Sequence, residues 1–367
     1  MRLKKGPPDF VLFITTLTLL GIGLIMVFSS SAVTANLWYD DAYHFFKRQL
    51  IWALIGITAM IVIMKINYFR LKDFAVPLMI ITVICLILVQ TPLGVETKGS
   101  SRWLNIGPLG RLAPSEMAKL AVVMFMAKAL DYNLENIKSF KRGVLPFLLM
   151  LAFIGGLIYI QPDLGTTFAV AATVIFLLFA AGAKLSHLGL IVLSGLGALA
   201  AAIAVAPYRL ARFIAFLKPW EDPTDKGYQT IQSFYALGSG GLFGMGLGRS
   251  RQKFFYLPEP HTDFIFAILG EELGFIGAFV VIALFLLFAW RGFKIAINAP
   301  DTFGNLLAAG ITIMIVLQAA INIGVVSGML PVTGITLPFV SYGGSSLLFS
   351  MAGVGLLLNI SRYSTYR

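Results

Sequence analysis

Ten times along this chain an apolar run approaches the roughly 20 residues that a helix needs to cross a bilayer. The runs cover residues 10–29, 49–66, 74–93, 115–131, 144–161, 164–183, 187–206, 264–290, 303–326 and 345–361. Lipid offers no water to an unpaired backbone N–H or C=O, so spans of this length must be helical. A transmembrane barrel would show alternating strands of about ten residues instead, and no such alternation is present. Composition agrees, with 58% hydrophobic and 12% charged residues against the roughly 25% charge of soluble domains. The expectation is an all-α polytopic membrane protein of about ten transmembrane helices, forming a single domain over residues 1–367. Arg2, Lys4 and Lys5 precede the first run as they would in a secretory signal. That run is longer than a signal core and more spans follow, so it reads as a retained helix. Cys85, the single cysteine, falls inside the third run and reads as a core thiol.

Ten spans put both termini on one side, and the positive-inside rule names the side. With the N-terminus inside, the cytoplasmic segments collect Arg2, Lys4, Lys5, Lys65, Arg70, Lys72, Lys128, Lys138, Lys141, Arg142, Lys184, Arg291, Lys294, Arg362 and Arg367. The short outer segments hold only Lys47, Arg48, Lys98, Arg102 and Arg111. The long segment 207–263, between spans seven and eight, then lies outside with Arg209, Arg212, Lys218, Lys226, Arg249, Arg251 and Lys253. Long loops weigh less in the rule, and this cationic cluster is available to an anion. Two more outer segments, 94–114 and 327–344, concentrate Gly, Pro and polar residues.

Each chemical feature has a plainer reading beside it. Arg209 and Arg212 share a face of a short basic amphipathic helix, suited to anchoring at the membrane surface or to contact with a lipid phosphate. The glycines from Gly238 to Gly248 could cradle an anion with their amides, or serve only close packing. Asp263 stands at the start of span eight, where a carboxylate caps a helix; a catalytic base is the second reading. Glu116 and Lys119, spaced i, i+3, read as an ion pair. Gln161-Pro-Asp163-Leu-Gly-Thr166 reads as the turn between spans five and six, a turn that does not require Asp163. At least one of Glu271 and Glu272 should face the interior, and Gln318 and Asn322 read as interhelical hydrogen-bonding groups. His44, His187 and His261 are scattered without metal-ligand spacing. Ser341 lacks a G-x-S-x-G setting, which argues against a serine hydrolase.

Several stretches resemble the SEDS family (shape, elongation, division, sporulation), whose members include RodA, FtsW and SpoVE. The most specific are Tyr256-Leu-Pro-Glu-Pro-His-Thr-Asp-Phe-Ile-Phe-Ala-Ile-Leu-Gly-Glu-Glu-Leu-Gly274 and Gly334-Ile-Thr-Leu-Pro-Phe-Val-Ser-Tyr-Gly-Gly-Ser-Ser346. Arg102-Trp-Leu104, Pro114-Ser-Glu116 with Lys119, Gln161-Pro-Asp-Leu-Gly-Thr166, Trp220-Glu-Asp-Pro223 and Gln229-Thr-Ile-Gln-Ser233 complete the pattern in order. The resemblance implies a peptidoglycan glycosyltransferase of the bacterial cytoplasmic membrane that polymerises lipid II at the outer face. It implies a class B penicillin-binding protein as transpeptidase partner, alongside other cell-wall elongation proteins, and no nucleic acid.

On that resemblance Asp263 corresponds to the family's essential aspartate and becomes the catalytic base. The substrate-binding set it implies is Arg102, Glu116, Lys119, Gln161, Asp163, Arg209, Arg212, Lys218, Arg249, Arg251, Lys253, His261 and Ser341. The cations among them are candidates to hold a leaving pyrophosphate, a role a divalent cation could share although no cofactor is fixed. The short N-terminus and missing C-terminal extension lean towards the elongation member, with division and sporulation members as alternatives. A lipid II flippase and a non-catalytic scaffold are the rival functions. The crowding of polar residues at one face speaks against the flippase.

Overall fold

The computed structural model describes residues 5–97, 100–107 and 110–364. Arg2, Lys4, Lys98 and Arg367 of the charge count lie outside the described residues, as does the side chain of Arg209. The chain runs α1 (Phe10–Tyr39), α2 (His44–Lys65), α3 (Tyr68–Asp73), α4 (Ala75–Leu88), then β1 (Gly94–Thr97), β2 (Ser100–Asn105) and β3 (Arg111–Leu112). It continues through α5 (Pro114–Tyr132), α6 (Leu145–Tyr159), α7 (Leu164–Ala180), α8 (Leu185–Val205), α9 (Pro207–Leu217) and α10 (Tyr228–Gly240). It closes with α11 (Ile265–Ile297), α12 (Thr302–Val326) and α13 (Gly344–Ser361).

Among the described residues eight helices are long and apolar enough to cross a membrane. The two remaining expected spans fall on α7, with 17 residues, and on α5, whose 19 residues include Glu116, Lys119, Lys128 and Asp131. The chain is a multi-pass α-helical membrane protein. The three short strands were not expected. They form one antiparallel sheet in the order β1-β2-β3, with Val95 opposite Trp103 and Leu104 opposite Leu112.

Successive helices alternate between two ends. At one end Asp9 caps α1 by accepting from the Leu12 amide (2.9 Å) and pairs with Arg291 at the end of α11. There, too, the Asn359 side chain of α13 donates to the carbonyls of Ile63 (2.7 Å) and Ile66 (2.7 Å), tying α13 to the end of α2. At the other end the sheet, the α6–α7 turn, the segment 257–264 and the segment 327–343 meet. α5, α12 and α13 form the buried centre, while α8 is exposed along nearly its whole length.

Helix α11 is broken. Gly274 sits at φ 67, ψ −167, a conformation open essentially to glycine alone. In an unbroken helix the amides of Phe275 and Ile276 would donate to the carbonyls of Glu271 and Glu272. Instead Phe275 N donates to Gly241 O (2.8 Å) and Ile276 N to Leu242 O (3.2 Å). The freed carbonyls of Glu271 and Glu272 accept from Met245 N and Gly246 N, each at 3.0 Å. Gly241 and Leu242 are the residues to which Met245 and Gly246 would donate had α10 continued, so two interrupted helices exchange partners. The glycines allow the approach. A Cβ on Gly240 would lie 2.0 Å from Gly270 O, and one on Gly244 would lie 2.2 Å from Glu272 O. The anion-cradle reading of this segment therefore does not hold, because the amides of Gly244, Met245 and Gly246 are spent on the protein's own carbonyls.

Gly274→Ala should destabilise the protein by about 2 kcal/mol or more, through strained backbone and a Cβ forced against Gly244 N. Gly21→Ala, where nothing lies within 4 Å of the added methyl, should leave stability unchanged or slightly raised. Thermal unfolding of the two variants in the same detergent is the check; equal midpoints would refute the role of the break.

Candidate functional site

Asp263 ends a turn held from several directions. The first position of α11 is preceded by Phe264, and no side chain caps that helix; the cap reading of Asp263 is not what the chain adopts. The Asp263 Oδ1 lies 2.9 Å from Thr262 Oγ1, which is also 3.0 Å from Glu259 O. One hydroxyl proton can serve only one of these acceptors at a time. The Asp263 carbonyl accepts from Asn322 Nδ2 of α12 (2.7 Å), and the same amide donates to Ile335 O (2.7 Å).

The segment 333–343 braces the turn from its other side. Ser341 Oγ donates to Thr262 O (2.5 Å) and accepts from Leu337 N (2.8 Å), while Tyr342 N donates to His261 O (2.9 Å). Gln49 of α2 donates to Ser341 O (3.1 Å) and accepts from Gly343 N (3.2 Å). Ser341 is thus a brace rather than a nucleophile. Glu259 and Phe339 hold positive φ (52 and 65) on the two facing segments, conformations that cost energy in residues with a Cβ.

His261 is buried against Phe45 (ring centroids 4.4 Å apart) and Tyr342 (5.5 Å). Burial lowers its pKa from 6.5 to about 4, with Glu259 opposing, so it is neutral at physiological pH. Burial likewise raises the Tyr342 phenol, while a hydrogen bond from Arg48 opposes the rise. Arg48, Gln49 and Tyr342 did not stand out as site residues in the sequence. Arg48 had one available signal: it is a charge at the mouth of an apolar run, where charge is costly unless used.

Glu116 and Lys119 form the expected ion pair at 2.8 Å, with Lys119 only 6% exposed. Lys119 also donates to Gln318 Oε1, and Gln318 Nε2 donates to Thr336 O (3.0 Å). Gln318 and Asn322 are four apart on α12 and so share a face. One ties to Lys119 and the other to Asp263, which joins two distant motifs through a single helix.

Other members of the expected binding set turn out to be committed elsewhere. Asp163 caps α7, accepting from Thr166 N (3.0 Å) and Thr166 Oγ1 (2.8 Å). Arg102 donates to the carbonyls of Gln161 (3.0 Å) and Pro162, fastening the sheet to that turn. The Gln161 side chain is buried, donating to Leu86 O (3.4 Å). Lys218 pairs with Glu221 (2.7 Å) and Lys253 with Glu272 (2.8 Å). Arg212, Arg249 and Arg251 are exposed, and among the described residues none of the three is in an ion pair. Both glutamates face inward: Glu271 and Glu272 are fully buried. No group of three or more His, Cys, Asp or Glu able to hold a metal ion forms among the described residues.

Neutral His261 carries a pH signature. The unfolded chain takes up the histidine proton near pH 6.5, the folded protein only near 4. Between those values the unfolded state binds more protons, so stability falls as pH drops through this window, by about 3 kcal/mol in full. His261→Gln should flatten this part of the unfolding-temperature profile measured between pH 7 and 4. An unchanged profile would show that His261 is protonated in the fold.

The profile of the FtsW, RodA and SpoVE family, described as cell cycle protein, matches residues 10–366. Stage V sporulation protein E of Bacillus subtilis (strain 168) is 51% identical over the full length of both chains. The probable peptidoglycan glycosyltransferase FtsW of Trichlorobacter lovleyi is 45% identical, over 96% of this chain and 93% of that one. A solved structure from work on the coordination of polymerization and crosslinking by a peptidoglycan synthase complex superposes with a TM-score of 0.80. It shares 30% identity, over 97% of this chain and 98% of that one. These relatives lend no support to the elongation role that the chain's ends had favoured. The chain belongs to the SEDS family of FtsW, RodA and SpoVE.

Proposed function

We propose that this protein is a peptidoglycan glycosyltransferase that polymerises lipid II, serving division or sporulation rather than elongation. The role follows the relatives, a sporulation protein and an FtsW glycosyltransferase, both above 40% identity. The orientation that suits it is both termini in the cytoplasm, with the Asp263 end of the bundle at the outer face of the cytoplasmic membrane. A class B penicillin-binding protein is the partner of choice, because the similar solved chain comes from a complex described as coupling polymerization to crosslinking.

The observation that carries the reading is the setting of Asp263. Its turn is fastened through backbone groups to α12 and to the segment 333–343, and its carboxylate is half-buried rather than engaged in capping α11. A carboxylate at this place can accept a proton from a bound hydroxyl. In the proposed step Asp263 takes the proton of the acceptor sugar's 4-hydroxyl. That oxygen attacks the anomeric carbon of the donor, the bond to pyrophosphate breaks, and polyprenyl pyrophosphate leaves with its electron pair. An α-linked donor then gives a β-linked product by inversion. Partial dehydration as the substrate covers the site raises the carboxylate's proton affinity and favours this transfer. Charge building on the pyrophosphate needs fixed cations opposite Asp263.

Asp263→Asn keeps the shape and removes the base. With purified protein and lipid II, strand synthesis should fall by about a hundredfold or more, while binding of lipid II stays near wild type. Wild-type synthesis by the variant, alone and with its partner, would sink the assignment. Movement of labelled lipid II between leaflets without strand formation would favour the flippase instead.

A further inference from the structure

We infer that Glu271 and Glu272 are positioning residues that hold Arg249 and Arg251 as the arm for the departing pyrophosphate. The inference rests on the glycosyltransferase reading for its substrate, and on the loop geometry for the rest.

The two glutamates gather the loop before Asp263 by both backbone and side chain. Their carbonyls accept from Met245 N and Gly246 N, as the broken helix requires. The Glu271 carboxylate accepts from Ser250 Oγ (2.5 Å), Arg251 N (2.8 Å) and Gln252 N (3.4 Å). The Glu272 carboxylate accepts from Ser250 N (3.3 Å), from Lys253 Nζ (2.8 Å) and, across the fold, from Ser29 Oγ of α1 (2.6 Å). Ser250 and Lys253 are buried, whereas Arg249 and Arg251, which alternate with them, are exposed. The alternation divides the labour: the buried residues anchor the loop, and the exposed ones present charge. Five of these contacts fall on the four residues 250–253, so the two carboxylates fix that stretch of loop.

The arm and Asp263 belong to one piece. Asp263 leads into the buried turn-and-a-half of helix that ends at the glutamates, and six residues at 1.5 Å rise separate Ile265 from Glu271 by about 9 Å. Acid and cations are therefore tied to a single segment. Among the described residues two other cations of the loop are engaged elsewhere. Lys253 is part of the clamp and Lys218 is paired with Glu221. Arg212 sits on α9, which packs on α8 away from this segment.

The test is binding of undecaprenyl pyrophosphate to the full chain in lipid nanodiscs, which reads the arm whether or not strands are made. Glu271→Gln should weaken binding by about tenfold, the worth of a charge-assisted contact. In an Arg249→Ala, Arg251→Ala background the same change should add less than about twofold, because the clamp then has no arm to position. Undecaprenyl monophosphate should be less sensitive to all of these changes. Should Glu271→Gln fail to accumulate, Ser250→Ala removes one donor and no charge, and should show the same dependence at smaller amplitude. Equal weakening in both backgrounds would mean a general loss of structure and would overturn the inference, as would no weakening at all. Wild-type binding without polymerisation would defeat the glycosyltransferase reading and leave the arm standing. Absence of wild-type binding would defeat the arm.

Discussion

A backbone amide in lipid has nowhere to turn but to another protein group, and much of this structure follows from how that demand is met at Gly274. A break in a membrane helix exposes two carbonyls and two amides, each costing several kcal/mol if left unpaired. Here the end of α10 meets the break, and the two interrupted helices exchange all four bonds. The exchange needs backbone contact at distances that any Cβ would forbid, which is why Gly240, Gly244 and Gly274 cluster there. It also sets the stretch 241–246 against Glu271 and Glu272, so the loop that follows starts from a fixed point. The clamp on residues 250–253 and the position of Asp263 both inherit that point.

The membrane architecture was open to reading from the sequence because its cause is local: twenty apolar residues in lipid have one backbone solution. The Glu116–Lys119 pair was open for the same reason, since residues three apart on a helix are neighbours whatever the tertiary fold. What stayed hidden was every pairing that tertiary structure makes. Lys253 looks like a free loop cation, yet it is buried against Glu272 and beside Ser29, 224 residues away. Arg102 looks like a phosphate ligand, yet it fastens a sheet that no apolar period announces. Spacing gives Asp263 to the helix as a cap, but the chain places Phe264 between them. The glycine run could equally have cradled an anion, because only the partner of each amide decides, and for Met245 and Gly246 those partners are Glu271 and Glu272 of another helix.

The family's motifs, scattered through the sequence, are contiguous in hydrogen bonds. Segment 333–343 touches the Asp263 turn through Ser341 and Tyr342, and the Lys119 pair through Thr336 and Gln318. α12 contributes Gln318 to one and Asn322 to the other. Polar networks of this kind are costly if any member is unsatisfied and rigid if all are met. Motifs of this sort mark a shared scaffold, which explains why they cannot tell a division protein from an elongation or sporulation protein. That distinction has to come from surfaces outside the network.

Rigidity at Asp263 has a chemical consequence that separates it from the other carboxylates of the molecule. Asp9 and Asp163 cap helices, Glu116 is in an ion pair, and Glu271 and Glu272 are surrounded by donors. Each of those is held by its charge, so a proton arriving there would break the contact that positions it. The turn that carries Asp263 is held through the Asp263 carbonyl and the backbone of Thr262 and His261, with the Thr262 hydroxyl 2.9 Å from the carboxylate. Its carboxylate can gain and lose a proton while the turn stays in place. The neighbouring imidazole, buried and neutral, adds no competing charge. The position of the turn therefore rests on backbone bonds that do not depend on the charge of the carboxylate.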